Sequence, residues 1–232
     1  MNDERGGSAM LAPVKTGIEH VANALRQRLP ASRALVAIDG TDGSGKSTLA
    51  GQLAQRLHPR PTVVVHVDNF LNPSSIRHAR GRSSPDGFWL DSYNYAALSA
   101  NVLDPLRASG GAWYRPSSYD PDLDAEKLAE PVYAPADAIV LVEGLFLHRD
   151  ELAHCWDASI FLDVPFAETA RRMAVRDGSN PDPNHRTMRR YVGGQHIYFA
   201  TARPLERASL IVDNAGTEPR LIDPSHASAL LT

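Results

Sequence analysis

One octapeptide constrains this chain more than any other feature: Gly40-Thr41-Asp42-Gly43-Ser44-Gly45-Lys46-Ser47, followed by Thr48. It fits G-x-x-x-x-G-K-[ST]. An apolar run, Ala34 to Ile38, precedes it, and Leu49, Leu53 and Leu57 recur at every fourth position after it. The order is therefore strand, glycine loop, helix. In that setting backbone N–H groups turn inward around phosphate oxygens, and the helix points its positive end at the same anion. Lys46 would reach the terminal phosphates, and the Ser47 hydroxyl would hold Mg²⁺.

The rest of the chain repeats the alternation. Residues 17–29 place Ile18, Val21, Leu25 and Leu29 at helical spacing, and Pro30 stops that helix. Strands are expected at 63–67, 138–142, 159–164 and 209–213, with helices at 94–107 and 166–176. Several strands are continuous apolar runs, as parallel strands covered on both faces are. The expected class is α/β: a P-loop NTPase three-layer sandwich with a five-stranded parallel sheet and a lid. Residues 1–16 are polar and read as frayed. Residues 71–93, 108–136 and 177–190 lack periodicity and read as long functional loops. One domain over 1–232 is expected, with acceptor-side insertions at about 70–93 and 108–136 and a lid at about 172–195.

Composition removes other classes. Among 232 residues, the formal charge of −3 argues against a dedicated nucleic-acid binder. The single cysteine, Cys155, excludes a disulfide framework and a cysteine zinc site. No apolar run is long enough to span a membrane, and MNDERGGSAM has no signal-peptide core, so a soluble cytoplasmic protein is expected. The lysines are Lys15, Lys46 and Lys127, against 21 arginines. None of these lysines lies in an Asn-Lys-x-Asp guanine motif, which argues against a GTPase switch. A motor or transporter ATPase would be longer. A small kinase remains, which needs an acceptor site and a lid.

Candidate residues follow from that frame. Asp68 ends the second strand, at the edge where such sheets bind ligands, and could take the proton of an attacking hydroxyl. The competing reading is a cap or turn aspartate. Glu143 ends the third strand and could hold Mg²⁺ opposite Ser47; the alternative is a turn acid. Arg172 and Arg176 share a helical face and could neutralise charge on a transferred group, or form a solvated ion-paired face. Aromatic residues in the long segments, Phe70, Tyr114 and Tyr119 among them, could stack on a planar base or pack a loop lobe onto the core. Arg77, Arg80 and Arg82 would suit an anionic acceptor.

These pieces resemble the uridine kinase branch of the P-loop kinases, which includes phosphoribulokinase and pantothenate kinase. The resemblance rests on IDGTDGSGKSTLA (38–50), VDNFLNP (67–73), VEGLFL (142–147), DASIFLDVPFAETARRMAVRD (157–177) and ERASLIVDN (206–214), and spans about 33–214. It implies ATP- and Mg²⁺-dependent phosphorylation of a small-molecule hydroxyl, with Asp68 as base, Ser47 and Glu143 at the metal, Arg172 and Arg176 in the lid, and residues 177–195 as the mobile part of that lid. Asn214 to Thr217 would lie near the adenine. Pro85-Asp86 would match a ribose-binding pair, and Tyr119-Asp120 a pair on the nucleoside side. Uridine or cytidine is the first acceptor to expect; pantothenate, a sugar phosphate or a nucleotide is the alternative, as is a nucleotide-binding regulator that has lost catalysis. Such kinases are often homo-oligomers, although this sequence carries no interface signal. No nucleic-acid polymer and no membrane are expected as partners.

Overall fold

The computed structural model describes residues 17–227; the stretch 1–16, expected to be frayed, lies outside them. The chain opens with α1 (Ile18–Arg26), β1 (Ala34–Gly40), α2 (Lys46–Arg56) and β2 (Thr62–His66). Then come α3 (Ser74–Arg77), α4 (Pro85–Asp91), α5 (Tyr95–Leu98) and α6 (Asp104–Arg107), the last two joined by a π turn at Ser99–Leu103. Four short strands follow: β3 (Ala112–Tyr114), β4 (Tyr119–Asp120), β5 (Ala125–Glu126) and β6 (Val132–Ala134). The remainder is β7 (Ile139–Glu143), α7 (Asp150–Ala153), β8 (Ala158–Asp163), α8 (Phe166–Asp177), α9 (Arg189–Ala202), α10 (Pro204–Arg207), β9 (Leu210–Asp213) and β10 (Arg220–Ile222).

The main sheet runs β10-β9-β8-β1-β7-β2. Its β9, β8, β1, β7 and β2 are parallel, as expected. A sixth strand, β10, pairs antiparallel with β9. The expectation of a sheet of five strands is corrected by this edge hairpin, whose three residues are too short to show a period.

Burial follows the two-residue period of strands. On β1, Leu35 and Ala37 enter the core beneath α4, α5 and α9, whereas Val36 and Ile38 enter the core beneath α1 and α2. β7 divides in the same way, with Val140 and Val142 on one face and Ile139 and Leu141 on the other. Two apolar faces require two helical layers. The phosphate-loop motif thus emerges from the middle of the sheet, where β1 is flanked by β7 and β8.

The segments read as irregular are largely ordered into elements. Ser84 caps α4 by accepting the Gly87 N–H at 3.1 Å, with Pro85 at the first helical position. Residues 112–134 form two small antiparallel pairs, β3–β6 and β4–β5. The span 172–195 expected as a lid divides into the end of α8, an irregular stretch at 178–188, and the start of α9. α9 carries Gly193-Gly194, and no helix is expected there from the sequence. Here they permit contact with α4: a Cβ at 193 would lie 2.8 Å from Pro85 Cγ, and one at 194 would lie 2.7 Å from Phe88 Cδ1.

A similar close approach sets the active edge. After β2, a 3₁₀ turn at Val67–Phe70 buries Val67 and Phe70 and leaves Asp68 exposed. Three residues per turn place the first and fourth side chains on one side. Gly144, after β7, lies against this turn, and a Cβ there would lie 2.4 Å from Val67 Cβ. Gly144→Ala is expected to lower unfolding free energy by about 1–3 kcal/mol through overpacking. Urea titration measures this; an unchanged midpoint would show that the turn yields freely.

Candidate active site

The phosphate loop is built as the glycine spacing requires. Gly43 and Gly45 have φ of 77° and 93°, and Gly45 caps α2. These left-handed values suit glycine and direct the loop around the helix N-terminus. Lys46 Nζ donates to the carbonyls of Gly40 at 3.2 Å and Thr41 at 2.9 Å, so the ammonium is held over the loop. Gly40, Thr41 and Ser44 are buried behind the rim.

A cavity of about 660 Å³ opens beside the loop, lined by Asp42, Gly43, Lys46, Ser47, Asp68, Glu143, Arg172 and Arg176 together with apolar and aromatic residues. Ser47 Oγ donates to Glu143 Oε1 at 3.0 Å, joining residues 96 apart in sequence. Asp68 sits on the same wall and accepts a hydrogen bond from the Tyr93 hydroxyl at 2.9 Å. Burial, and then the neighbouring Asp68 charge, push the Tyr93 phenol well above its ordinary range, so it stays a donor. His66, whose Nδ1 lies 2.5 Å from Glu143 Oε1, was not singled out in the sequence, and neither were Tyr93 as the partner of Asp68 and Tyr191 on the cavity wall. His66 ends β2 one strand from Glu143, a register that the topology makes visible.

A second cavity, of about 600 Å³, adjoins the first across Gly45, Thr48 and Arg172 and takes in Asn214 and Thr217. Asn214 Nδ2 donates to the Ser44 carbonyl at 2.7 Å, fastening the loop after β9 to the phosphate loop. Arg172 donates to the carbonyls of Asn214 at 2.9 Å and Ala215 at 3.0 Å, and to Glu168 Oε1 at 2.7 Å. Arg176 pairs with Asp177 at 2.8 Å and more loosely with Asp42 at 3.7 Å.

Other candidates lie elsewhere. Phe70 has no exposed surface and belongs to the core, which rules out stacking on a ligand. Tyr114 is likewise core. Asp86 is exposed in the first turn of α4 and does not line the cavity. Arg77 Nη2 donates to the Tyr119 hydroxyl at 3.0 Å and to Asp124 Oδ1 at 3.3 Å, and Tyr119 donates to the same carboxylate at 2.7 Å. Bonds from Ser74 and then Tyr119 hold the Asp124 carboxyl well below the usual range. This cluster fastens the β4–β5 pair to α3 and lies off the phosphate cavity.

The donor set suits magnesium chemistry. A hydroxyl and a carboxylate oxygen converge at Ser47 and Glu143, and among the described residues there is no cluster of three or more His, Cys, Asp or Glu side chains that could cage an ion. Magnesium bound through one or two protein oxygens and completed by phosphates and water needs only such a pair. No helix among the described residues is long and apolar enough to cross a membrane.

Glu168 holds both Arg171 and Arg172. Hydrogen bonds from Arg171 first, and then Arg172, lower its carboxyl from the ordinary 4.5 to about 2. A depressed carboxylate contributes stability above its unfolded value and loses it as pH falls through the folded one. The Tm advantage of wild type over Glu168→Gln is therefore expected in full above about pH 4.5 and should shrink toward pH 2. Thermal melts across that window measure it; an advantage independent of pH would refute the ionic origin.

No protein-family model matches the chain. Nicotinamide riboside kinase 1 of Homo sapiens is 27% identical over 149 residues, covering 64% of this chain and 67% of that protein. A Bacillus stearothermophilus protein described as a possible uridine kinase superposes with a TM-score of 0.66 at 24% identity, over 84% of this chain and 96% of that one. Phosphoribulokinase from Rhodobacter spheroides gives a TM-score of 0.55 at 14% identity, over 86% of this chain and 76% of that one. With its phosphate loop, its mostly parallel sheet and these structural neighbours, the chain has the α/β fold of the P-loop kinases of the uridine kinase and phosphoribulokinase type.

Proposed function

We propose that this chain is an ATP-dependent kinase that transfers the γ-phosphoryl group of MgATP to a hydroxyl of a non-anionic, nucleoside-like acceptor. The observation that carries the reading is the Ser47–Glu143 hydrogen bond at 3.0 Å on a cavity whose wall also holds Asp68. A kinase needs a phosphate cradle, a metal-holding oxygen pair and a base facing one space. The phosphate-loop amides and Lys46 take the phosphates, and the base of the nucleotide belongs in the adjoining cavity beside Asn214 and Thr217. Ser47 and Glu143 would hold the metal, which would supply neutralisation of phosphate charge. Asp68, oriented by Tyr93, accepts the proton of the acceptor hydroxyl. Arg172 and Arg176 face the space where charge develops on the transferred group.

A non-anionic acceptor is supported by where charge is already spent. Arg77 and Arg80 have carboxylate partners, Asp124 and Asp91, and neither lines the cavity. The acceptor side instead offers Leu71, Phe88, Tyr93, Leu145 and Tyr191, a surface suited to a planar base. The human relative is named for nicotinamide riboside. Uridine and cytidine remain the first candidates, within a soluble, cytoplasmic enzyme.

A coupled assay of MgATP with uridine, cytidine, nicotinamide riboside, pantothenate and a sugar phosphate should show turnover with a nucleoside that carries no negative charge. Turnover confined to anionic acceptors would overturn this acceptor class. Asp68→Asn is expected to cut kcat by about 10²–10⁴-fold, with MgATP affinity by calorimetry changed by less than about twofold. Undiminished kcat would remove Asp68 from the role of base.

A further inference from the structure

Asp39 lies fully buried at the end of β1, immediately before the phosphate loop, and the mechanism above gives it no task. Nothing in its sequence context marks it out from an ordinary strand residue. Its two carboxylate oxygens divide their partners. Oδ1 accepts the Gly40 N–H at 2.7 Å, at the mouth of the loop. Oδ2 accepts the N–H groups of Leu147 at 2.9 Å and His148 at 3.2 Å, with His148 Nδ1 at 2.9 Å. Oδ2 also takes a short hydrogen bond from the Tyr198 hydroxyl on α9.

A carboxylate only accepts, so His148 Nδ1 is the donor in that contact. Burial, and then the Asp39 charge, push the Tyr198 phenol well above its ordinary range, which keeps it a donor. Among the described residues no lysine or arginine pairs with this carboxylate, and oriented N–H and O–H groups surround it. A buried carboxylate is costly unless fully hydrogen-bonded, so each of these donors is under strong geometric demand. The elements so joined are the phosphate loop, the segment that continues from Glu143, and the helix that carries Tyr191 on the acceptor cavity.

We propose that Asp39 is a positioning residue for phosphoryl transfer, fixing the mouth of the phosphate loop with one oxygen and anchoring α9, the acceptor-side wall, with the other. The importance of this for turnover rests on the kinase reading, but the geometry can be tested without turnover.

Two variants should give a crossed pattern. In Asp39→Asn the amide offers one acceptor and one donor. The oxygen is drawn to the donor-rich side of His148 and Tyr198, which leaves the NH₂ group against the Gly40 N–H. MgATP affinity by calorimetry should fall about tenfold, with amide hydrogen exchange across 189–202 close to wild type. Tyr198→Phe removes only the helix anchor. Exchange across 189–202 should quicken about tenfold, with MgATP affinity within about twofold of wild type. In the acceptor assay, Tyr198→Phe should raise the KM for the nucleoside more than it lowers kcat.

A merely structural carboxylate would move both readouts together in both variants, and that result, or no change in either, overturns the proposal. If Asp39→Asn does not fold, Tyr198→Phe alone decides: slower or unchanged exchange in α9, or a matching loss of MgATP affinity, refutes the anchor. Wild type that binds MgATP but phosphorylates no acceptor removes the kinase reading and leaves the anchor standing on its own readouts. Wild type that does not bind MgATP removes both.

Discussion

Burial of β1 on both faces is the constraint on which the site depends. A strand with Leu35 and Ala37 packed into one core and Val36 and Ile38 into the other cannot slide or rotate without exposing apolar surface. Its end is therefore fixed in space, and the phosphate loop begins at that end. The flanking strands β7 and β8 carry the same double burial, so Glu143 is delivered to the loop with comparable accuracy. A hydroxyl at residue 47 and a carboxylate at residue 143 meet because two rigid neighbouring strands end side by side.

The electrostatics of the edge are organised by pairing rather than by excess charge. Of the arginines considered for phosphate or acceptor binding, Arg77, Arg80, Arg172 and Arg176 all have carboxylate partners. Arg172 is held further by backbone carbonyls from the loop that follows β9, beside the second cavity. Its guanidinium is thereby aimed before any ligand arrives, which lowers the reorganisation needed when charge develops. Arg176, more exposed and only loosely bound to Asp42, has greater freedom to move toward a ligand. Tyr93 does for Asp68 what Glu168 does for Arg172: it orients a charged side chain on the cavity wall by a directional bond.

The residues that could be read in advance were those whose role is local. A glycine pattern, a lysine after it and a helix period identify a phosphate loop without knowledge of any distant contact. Acids at strand ends are also legible, because strand ends in a parallel sheet gather at one edge. Phe70 misled because a 3₁₀ turn decides which of its side chains point inward, and Asp68 and Phe70 lie on opposite sides of that turn. Arg77 and Tyr119 misled because their partner, Asp124, lies in a small hairpin that no period announces. The helix at 189–202 was hidden by Gly193-Gly194, which weaken a helix in isolation and are tolerated where a second helix fills the space.

The sequence by itself determined the class of fold, the place of the phosphate loop, and the acids available at its rim, since these follow from spacing and from burial of continuous apolar runs. Only the tertiary structure decided which of the remaining polar residues face the cavity and which satisfy one another. That choice depends on contacts between segments far apart along the chain, such as Asp39 with Tyr198 and Ser47 with Glu143. Such contacts leave no periodic trace, because each is a single bond fixed by the packing of whole elements.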